Sequence, residues 1–185
     1  ISPEFVPTEE KCLRAASRAA ARTKVPLSIH LPGWERYGER VLDIVEEEGA
    51  DLSHTILCHM NPSHDDLPYQ RRLAKRGAFL EYDMIGVDFY FGEKQVQSPS
   101  DDQNARAIRQ LIDDGFLGHL LLSQDVFLKM MLTRYGGFGY GHILKNFVPR
   151  LRTHGVDESQ LQALLVDNPK RVFSVGAPFS PSATK

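Results

Sequence analysis

The chain has 185 residues, a net charge of −2 and a hydrophobic fraction of 42%. That length supports one domain with a buried core, and the near-neutral charge argues against nucleic acid or an anionic membrane surface as a partner. No apolar run approaches the roughly 18 residues that span a bilayer, and two cysteines, Cys12 and Cys58, are too few for a disulfide framework. Both lie in apolar-periodic stretches, as free, buried thiols in a reducing compartment would, so a cytoplasmic location is expected.

In chain order, residues 1–7 read as a loop. A helix is expected over 8–23, with Thr8 as its N-cap, Glu9 and Glu10 in the first turn and Leu13, Ala16 and Ala20 on one face. A strand follows over 25–30, then a Pro32-Gly33 loop and a helix over 37–48, where Val41, Leu42 and Val45 recur at helical spacing and Gly49 stops it. The next strand spans 55–59 and the next helix 66–76, closed by Gly77. A third strand over 78–82 leads into a polar loop over 84–99 that carries Phe89, Tyr90 and Phe91. Ser100 caps a helix that runs to 114, and a fourth strand covers 120–123. A Gly-rich loop over 124–141 precedes helices over 143–153 and 158–166, with Asn168-Pro169 ending the last. Residues 1–175 form one unit and 176–185 a frayed tail.

Strands alternating with helices specify parallel βαβ units, an α/β chain. Four strands are half of the eight that a (β/α)8 barrel needs. The leading helix has no strand before it and reads as the second half of a cut unit. The expected fold is therefore the C-terminal portion of a TIM barrel, roughly strands 5–8 with their helices.

Three apolar runs end in metal-ligating residue types: Ile29-His30, Leu57-Cys58-His59 and Leu122-Ser123-Gln124-Asp125. In a parallel barrel such tips converge on one face, where active sites sit. Period-two alternation places Ser28 with His30 inside, takes Leu57 inward with His59, sends Ile56 and Cys58 to the helix layer, and groups Phe79, Glu81 and Asp83 on the inner face. Two imidazoles and a carboxylate suit a hydrolytic divalent metal such as zinc, which brings the pKa of a bound water from about 15.7 to near 7. His30, His59 and Asp125 are the candidate metal ligands, and Asp125 is also the candidate proton acceptor. Asp83 and Glu81 are candidate residues behind the ligands or against the substrate. His54, His64, His119 and His154 fall in loops or at helix edges and read as surface; Cys58 reads as core. The loop at Gly136–Gly141 suits either a lid with glycine hinges or a plain connection, and Phe89-Tyr90-Phe91 either a pocket mouth or loop packing.

The stretches at residues 25–30, 56–59, 76–83, 120–126 and 168–171 together resemble the phosphotriesterase family of the amidohydrolase superfamily, in its phosphotriesterase-related and resiniferatoxin-binding-like branch. The resemblance covers about residues 7–174 and implies the second half of a TIM barrel. It implies a binuclear metal-dependent hydrolase in which a metal-activated hydroxide attacks an ester, lactone, amide or phosphotriester. On it, His30 and His59 hold one of two divalent ions (zinc by preference), Asp125 holds the other and takes a proton, and Asp83 stands near the site. The partner implied is a small-molecule substrate. The family's first-strand His-x-His pair and its bridging Lys or Glu have no counterpart here, and Glu4 falls in a loop. Met84-Ile85-Gly86 and Met60-Asn61-Pro62 replace a proton relay found in some members, which favours a carboxylate, lactone or amide substrate over a phosphotriester. Two further expectations stay open: a non-catalytic small-molecule-binding protein on the same scaffold, and a half-barrel whose open edge strands pair with a partner chain or a second copy as a homo-oligomer.

Overall fold

A computed structural model describes residues 1–174; the expected tail over 176–185 lies outside them. Helix α1 (Pro7–Thr23) comes first. It begins one residue before the expected start. Pro7 suits the first helical turn because its missing N–H is unpaired there anyway, and the Glu9 carboxylate accepts the Val6 N–H at 3.0 Å. Thr8 is therefore inside the helix rather than its cap. Strand β1 (Leu27–Ile29), α2 (Gly38–Glu47), β2 (Thr55–Leu57), α3 (Leu67–Lys75) and β3 (Phe79–Tyr82) follow in the expected order. The loop after β3 holds a short hairpin, β4 (Tyr90–Phe91) and β5 (Val96–Gln97), that the sequence did not announce. Next come α4 (Asp101–Asp113), capped by Ser100 as expected and by Gln103, which completes a capping box, and β6 (Leu120–Leu122).

The last helices are α5 (Val148–Thr153), α6 (Glu158–Gln162) and α7 (Asn168–Phe173). A π turn leads into α5 (Ile143–Phe147) and another joins α6 to α7 (Ala163–Asp167). Each π turn ends just before an Xaa-Pro step, Val148-Pro149 and Asn168-Pro169. Proline offers no N–H and crowds the carbonyl four residues back, and a locally wider turn relieves both. So Asn168-Pro169 does not end the helix, as the sequence suggested; the helix runs through it.

The strands form one parallel sheet in the order β1-β2-β3-β6, with Leu27 opposite Thr55, Ile56 opposite Phe79 and Leu80 opposite Leu120. The sheet is open, so within this chain the expected barrel is not closed. One face is covered by the helices: Ile29, Leu57, Leu80, Tyr82 and Leu120 pack with Val41, Leu42, Leu73, Ile108 and Leu151 in the main core. The other face carries Ile56, Phe79 and Leu121 with Cys58 against them. Helix α7 closes that face at its lower end. Val172 is fully buried among those side chains, Arg171 stacks on Phe79 at 5.0 Å, and the Asn168 amide donates to the carbonyls of Leu117 and Leu120.

This corrects the face assignment of the second strand. Ile56 and Cys58 point to the inner face and Leu57 to the helices, the reverse of the alternation counted back from His59. The physical cause is the backbone at His59, whose φ is +58°. A left-handed residue breaks the period-two alternation, so His59 reaches the inner side although its parity predicts the helix layer.

Cys12 is exposed rather than buried. It lies with Ala16, Leu27 and His30 along a shallow groove beside the open edge of β1, where α1 has no strand to cover. Among the described residues no helix is long and apolar enough to cross a membrane.

Candidate metal centre at the strand tips

The sheet hydrogen bonds continue past the strands and fix the tips. Cys58 N–H donates to the Ile29 carbonyl (3.0 Å), Met60 N–H to Glu81 (3.1 Å) and Ser123 N–H to Tyr82 (3.0 Å). His30 follows β1 directly, His59 comes two residues after β2, Asp83 follows β3 and Asp125 comes three residues after β6. Asp125 leaves its strand with φ +43°, so that, like His59, it is a non-glycine residue in the left-handed region.

The structure brings the two histidines together: their rings lie 4.6 Å apart, edge to face. His59 is braced by Asp83, which accepts its backbone N–H at 3.0 and 3.1 Å and its Nδ1–H at 3.0 Å. That fixes the tautomer and leaves Nε2 free, the usual way a carboxylate orients a ligating imidazole. Asp125 lines the same pocket as both rings. The three do not close into a single tight triad. Among the described residues, the group of three ligand-type side chains whose donor atoms all lie within 4.8 Å of one another is Cys58, Glu81 and Asp83. Cys58 donates to Glu81 Oε2 (3.2 Å) and its sulfur lies 3.1 Å from Ser28 Oγ. This polar row runs across the inner face under the histidines. Cys58, expected in the core, is half-buried on the inner face beside Ser28 and Glu81.

The electrostatics suit a cation. Burial pushes the Asp125 carboxyl up; His59 opposes this and the Asp83 charge adds to it. Glu81 is also raised, first by burial and then by Asp83. Carboxylates crowded in a partly desolvated pocket gain from a positive charge placed among them. Burial likewise lowers His30, and neighbouring His59 lowers it further, which favours the neutral, ligating imidazole. His59 differs: burial alone would lower it, but the bond to Asp83 and the surrounding carboxylates raise it. The Cys58 thiol is driven far up by burial and by Glu81, so it is an uncharged donor. Two imidazoles, one braced with a free Nε2, together with raised carboxylates form a donor set that fits divalent metal.

The pocket mouth carries residues the sequence reading passed over. Trp34 packs edge-on to Phe91 at 5.2 Å, and Lys94, on the turn between β4 and β5, lies 5.5 Å above the Trp34 ring. Phe127 stands exposed on the opposite loop. Of the aromatic triplet, Phe91 lines the mouth and Tyr90 points to solvent. The signal for Trp34 was its place in the loop right after a ligand-bearing strand. The hairpin that presents Lys94 has strands too short to show a pattern. The Gly-rich loop is packed rather than free: a Cβ at Gly137 would lie 2.2 Å from the Met131 backbone, and Phe138 packs edge-on to His142 at 5.4 Å. His119, expected at the surface, is half-buried and bonds the Ala78 carbonyl.

A parallel α/β sheet that gathers imidazoles and carboxylates at the C-terminal ends of its strands defines an α/β protein with a strand-tip metal centre as its candidate site. Residues 1–173 match the phosphotriesterase family, and the chain belongs to it. It is 36% identical to N-acetyltaurine hydrolase from Danio rerio over 166 residues, 89% of this chain and 48% of that protein. It is also 36% identical to N-acetyltaurine hydrolase from Dictyostelium discoideum, covering 90% and 46%. A resiniferatoxin-binding protein from Rhodobacter sphaeroides superposes with TM-score 0.93 at 61% identity, over 94% of this chain and 49% of that one. The phosphotriesterase homology protein from Escherichia coli, complexed with phosphate in its active site, superposes with TM-score 0.84 at 28% identity, over 94% and 57%. The chain spans about half the length of the curated relatives it matches.

Proposed function

We propose that the protein is a metal-dependent hydrolase that cleaves an amide, ester or lactone, and that this chain supplies strands 5–8 of its barrel. The observation that carries the reading is the His30–His59 ring pair, braced by Asp83 and sharing one pocket with Asp125. The hydrolase names of relatives at 36% identity support it. His30 and His59 would hold one divalent ion, most readily zinc, and Asp125 would contribute to a second. Metal bound there supplies an activated water and polarises the scissile carbonyl.

The chain's own residues do the rest. Asp83 holds the His59 ring in one tautomer. Asp125, which shares the pocket with both rings, accepts the proton released as water adds to the carbonyl carbon. It then delivers that proton to the leaving nitrogen or oxygen as the C–N or C–O bond breaks, so acid and amine (or alcohol) leave in balance. The apolar mouth formed by Trp34 and Phe91 limits bulk water around the acyl group.

The test is metal analysis and hydrolysis of N-acyl amides and lactones by the full-length protein, with Asp125→Asn alongside. About two metals per chain, and activity that falls by roughly 10²–10⁴ in the variant, are expected. A folded protein with neither metal nor activity would refute the reading. The second reading, a binding protein without catalysis, is favoured by the 61% identity to a resiniferatoxin-binding protein. It predicts ligand binding with no turnover in the metal-loaded protein.

A further inference from the structure

The loop after β6 carries Asp125 near its start and returns through residues 137–142, and the returning arm is fastened to a different part of the fold. His142 Nε2 lies 2.7 Å from an Asp101 carboxylate oxygen, with the two side chains 14% and 18% exposed. The Asn146 amide donates to His142 Nδ1 at 3.0 Å, so Nε2 carries the hydrogen and donates to Asp101. The other Asp101 oxygen accepts the Gly86 N–H at 2.8 Å. One carboxylate, in the first turn of α4, therefore joins the loop after β3 to the end of the loop after β6. The joint is close-packed. A Cβ at Gly86, where φ is +88°, would lie 3.0 Å from Phe138 and 3.1 Å from His142, and the Phe138 ring meets the His142 ring edge-on.

Both chain neighbours of Asp125 lean on that arm. The Gln124 amide donates to the Tyr140 carbonyl at 2.6 Å. Val126 packs with Phe138 against the buried Met84, Val87 and Met131. Asp125, between them, has a left-handed backbone, which an aspartate keeps where its surroundings impose it. We infer that His142 is a positioning residue for Asp125. Its bond to Asp101 latches the returning arm, and the latched arm holds Gln124 and Val126 so that the carboxylate between them stays in the pocket it shares with His30 and His59. This rests on the hydrolase reading and deepens it: Asp83 braces His59 from the neighbouring strand tip, and His142 braces Asp125 from the far end of its own loop.

The experiment uses the full-length protein. His142→Phe keeps a ring against Phe138 and removes the donor, whereas His142→Gln keeps an N–H donor. Zinc is titrated into the metal-free protein by calorimetry. In His142→Phe the ion at His30 and His59 should bind as in the wild type, and the second ion, to which Asp125 would contribute, about 10–100-fold more weakly; His142→Gln should restore most of that affinity. For a lactone or N-acyl amide that the wild type hydrolyses, kcat should fall by a similar factor with KM nearly unchanged. In an Asp125→Asn background, His142→Phe should add little to either loss, because it acts through that carboxylate. Gln124→Met cuts the tie to Tyr140 at a half-exposed position and should weaken the second ion in the same direction; it carries the test if His142→Phe does not fold. Equal weakening of both ions, an unchanged second ion, or a full additional loss in the Asp125→Asn background overturns the inference while the hydrolase reading stands. If two ions bind and nothing is turned over, the hydrolase reading fails and the titration alone decides. If the wild type binds no metal, the hydrolase reading fails and hydrogen exchange decides. The amides to follow are those of Ser123, Gly137 and Gly139, which donate to Tyr82, Leu132 and Met131. Exchange there faster by about 10–100-fold in His142→Phe upholds the grip of His142 on the backbone beside Asp125, and unchanged exchange overturns it.

Discussion

Removing Asp83 should expose how much of the candidate centre depends on one carboxylate. In Asp83→Ala, the His59 backbone N–H and Nδ1–H both lose their acceptor. Hydrogen bonds to a charged group contribute about 1.5–3 kcal/mol each, so the gross loss is roughly 3–6 kcal/mol. Two effects offset it. A carboxylate only 9% exposed no longer has to be desolvated, and water from the pocket can reach one of the freed donors. The net destabilisation should be about 2–4 kcal/mol, with His59 the first residue to move because its left-handed backbone loses its anchor. Asp83→Asn keeps one acceptor and should lose about half as much. Urea unfolding of the full-length protein gives the stability change. Metal titration should show affinity lower by about 10–100-fold, the usual effect of removing a carboxylate that orients a ligating histidine. If both variants unfold within about 0.5 kcal/mol of the wild type and bind metal unchanged, then Asp83 does not brace His59 and the case for a prepared centre falls.

Replacing His30 or His59 with alanine should lower metal content by about one ion per chain, measured by elemental analysis; an unchanged content in both would remove them from the ligand set. Asp102 is held down to about 2, first by its bond from His154 and then by Arg106. A depressed carboxylate stabilises the fold above its ordinary pKa, about 3.9, and loses that contribution as the pH falls from there toward 2. Unfolding curves should therefore show stability dropping across that window, less steeply in Asp102→Asn; identical slopes would show the contact to be inert. Gly137→Ala should disrupt the loop after β6, because the new Cβ would meet the backbone of Met130 and Met131 rather than a movable side chain. Faster proteolysis of that loop is the expected readout, and wild-type resistance would show that the loop can give way.

The alternation of strands and helices was legible because buried parallel strands are short apolar runs and their helices carry a 3.6-residue period. The tip residues were legible for the same reason: each run ends in a polar side chain that a core strand would not hold. The face of the second strand was not, because parity counted from His59 presumes an unbroken strand, and the left-handed turn at His59 is invisible without coordinates. Counting from Phe79 and Leu121, which share the inner face with Ile56, would have given the right answer. The hairpin was missed because two-residue strands carry no periodicity. The run of α6 into α7 was missed because a proline ordinarily stops a helix, and a π turn is an accommodation that only the fold reveals.

His59 and Asp125 each carry a side chain where the backbone would be more at ease with none. Glycine enters that conformation without strain, and asparagine does so more readily than most residues. Folding and chemistry therefore pull in opposite directions at these two positions. A library of this protein screened for heat tolerance alone should drift toward glycine or asparagine at 59 and 125, while one screened for turnover should hold histidine and aspartate. The frequencies at those codons would record which pressure the protein had been under.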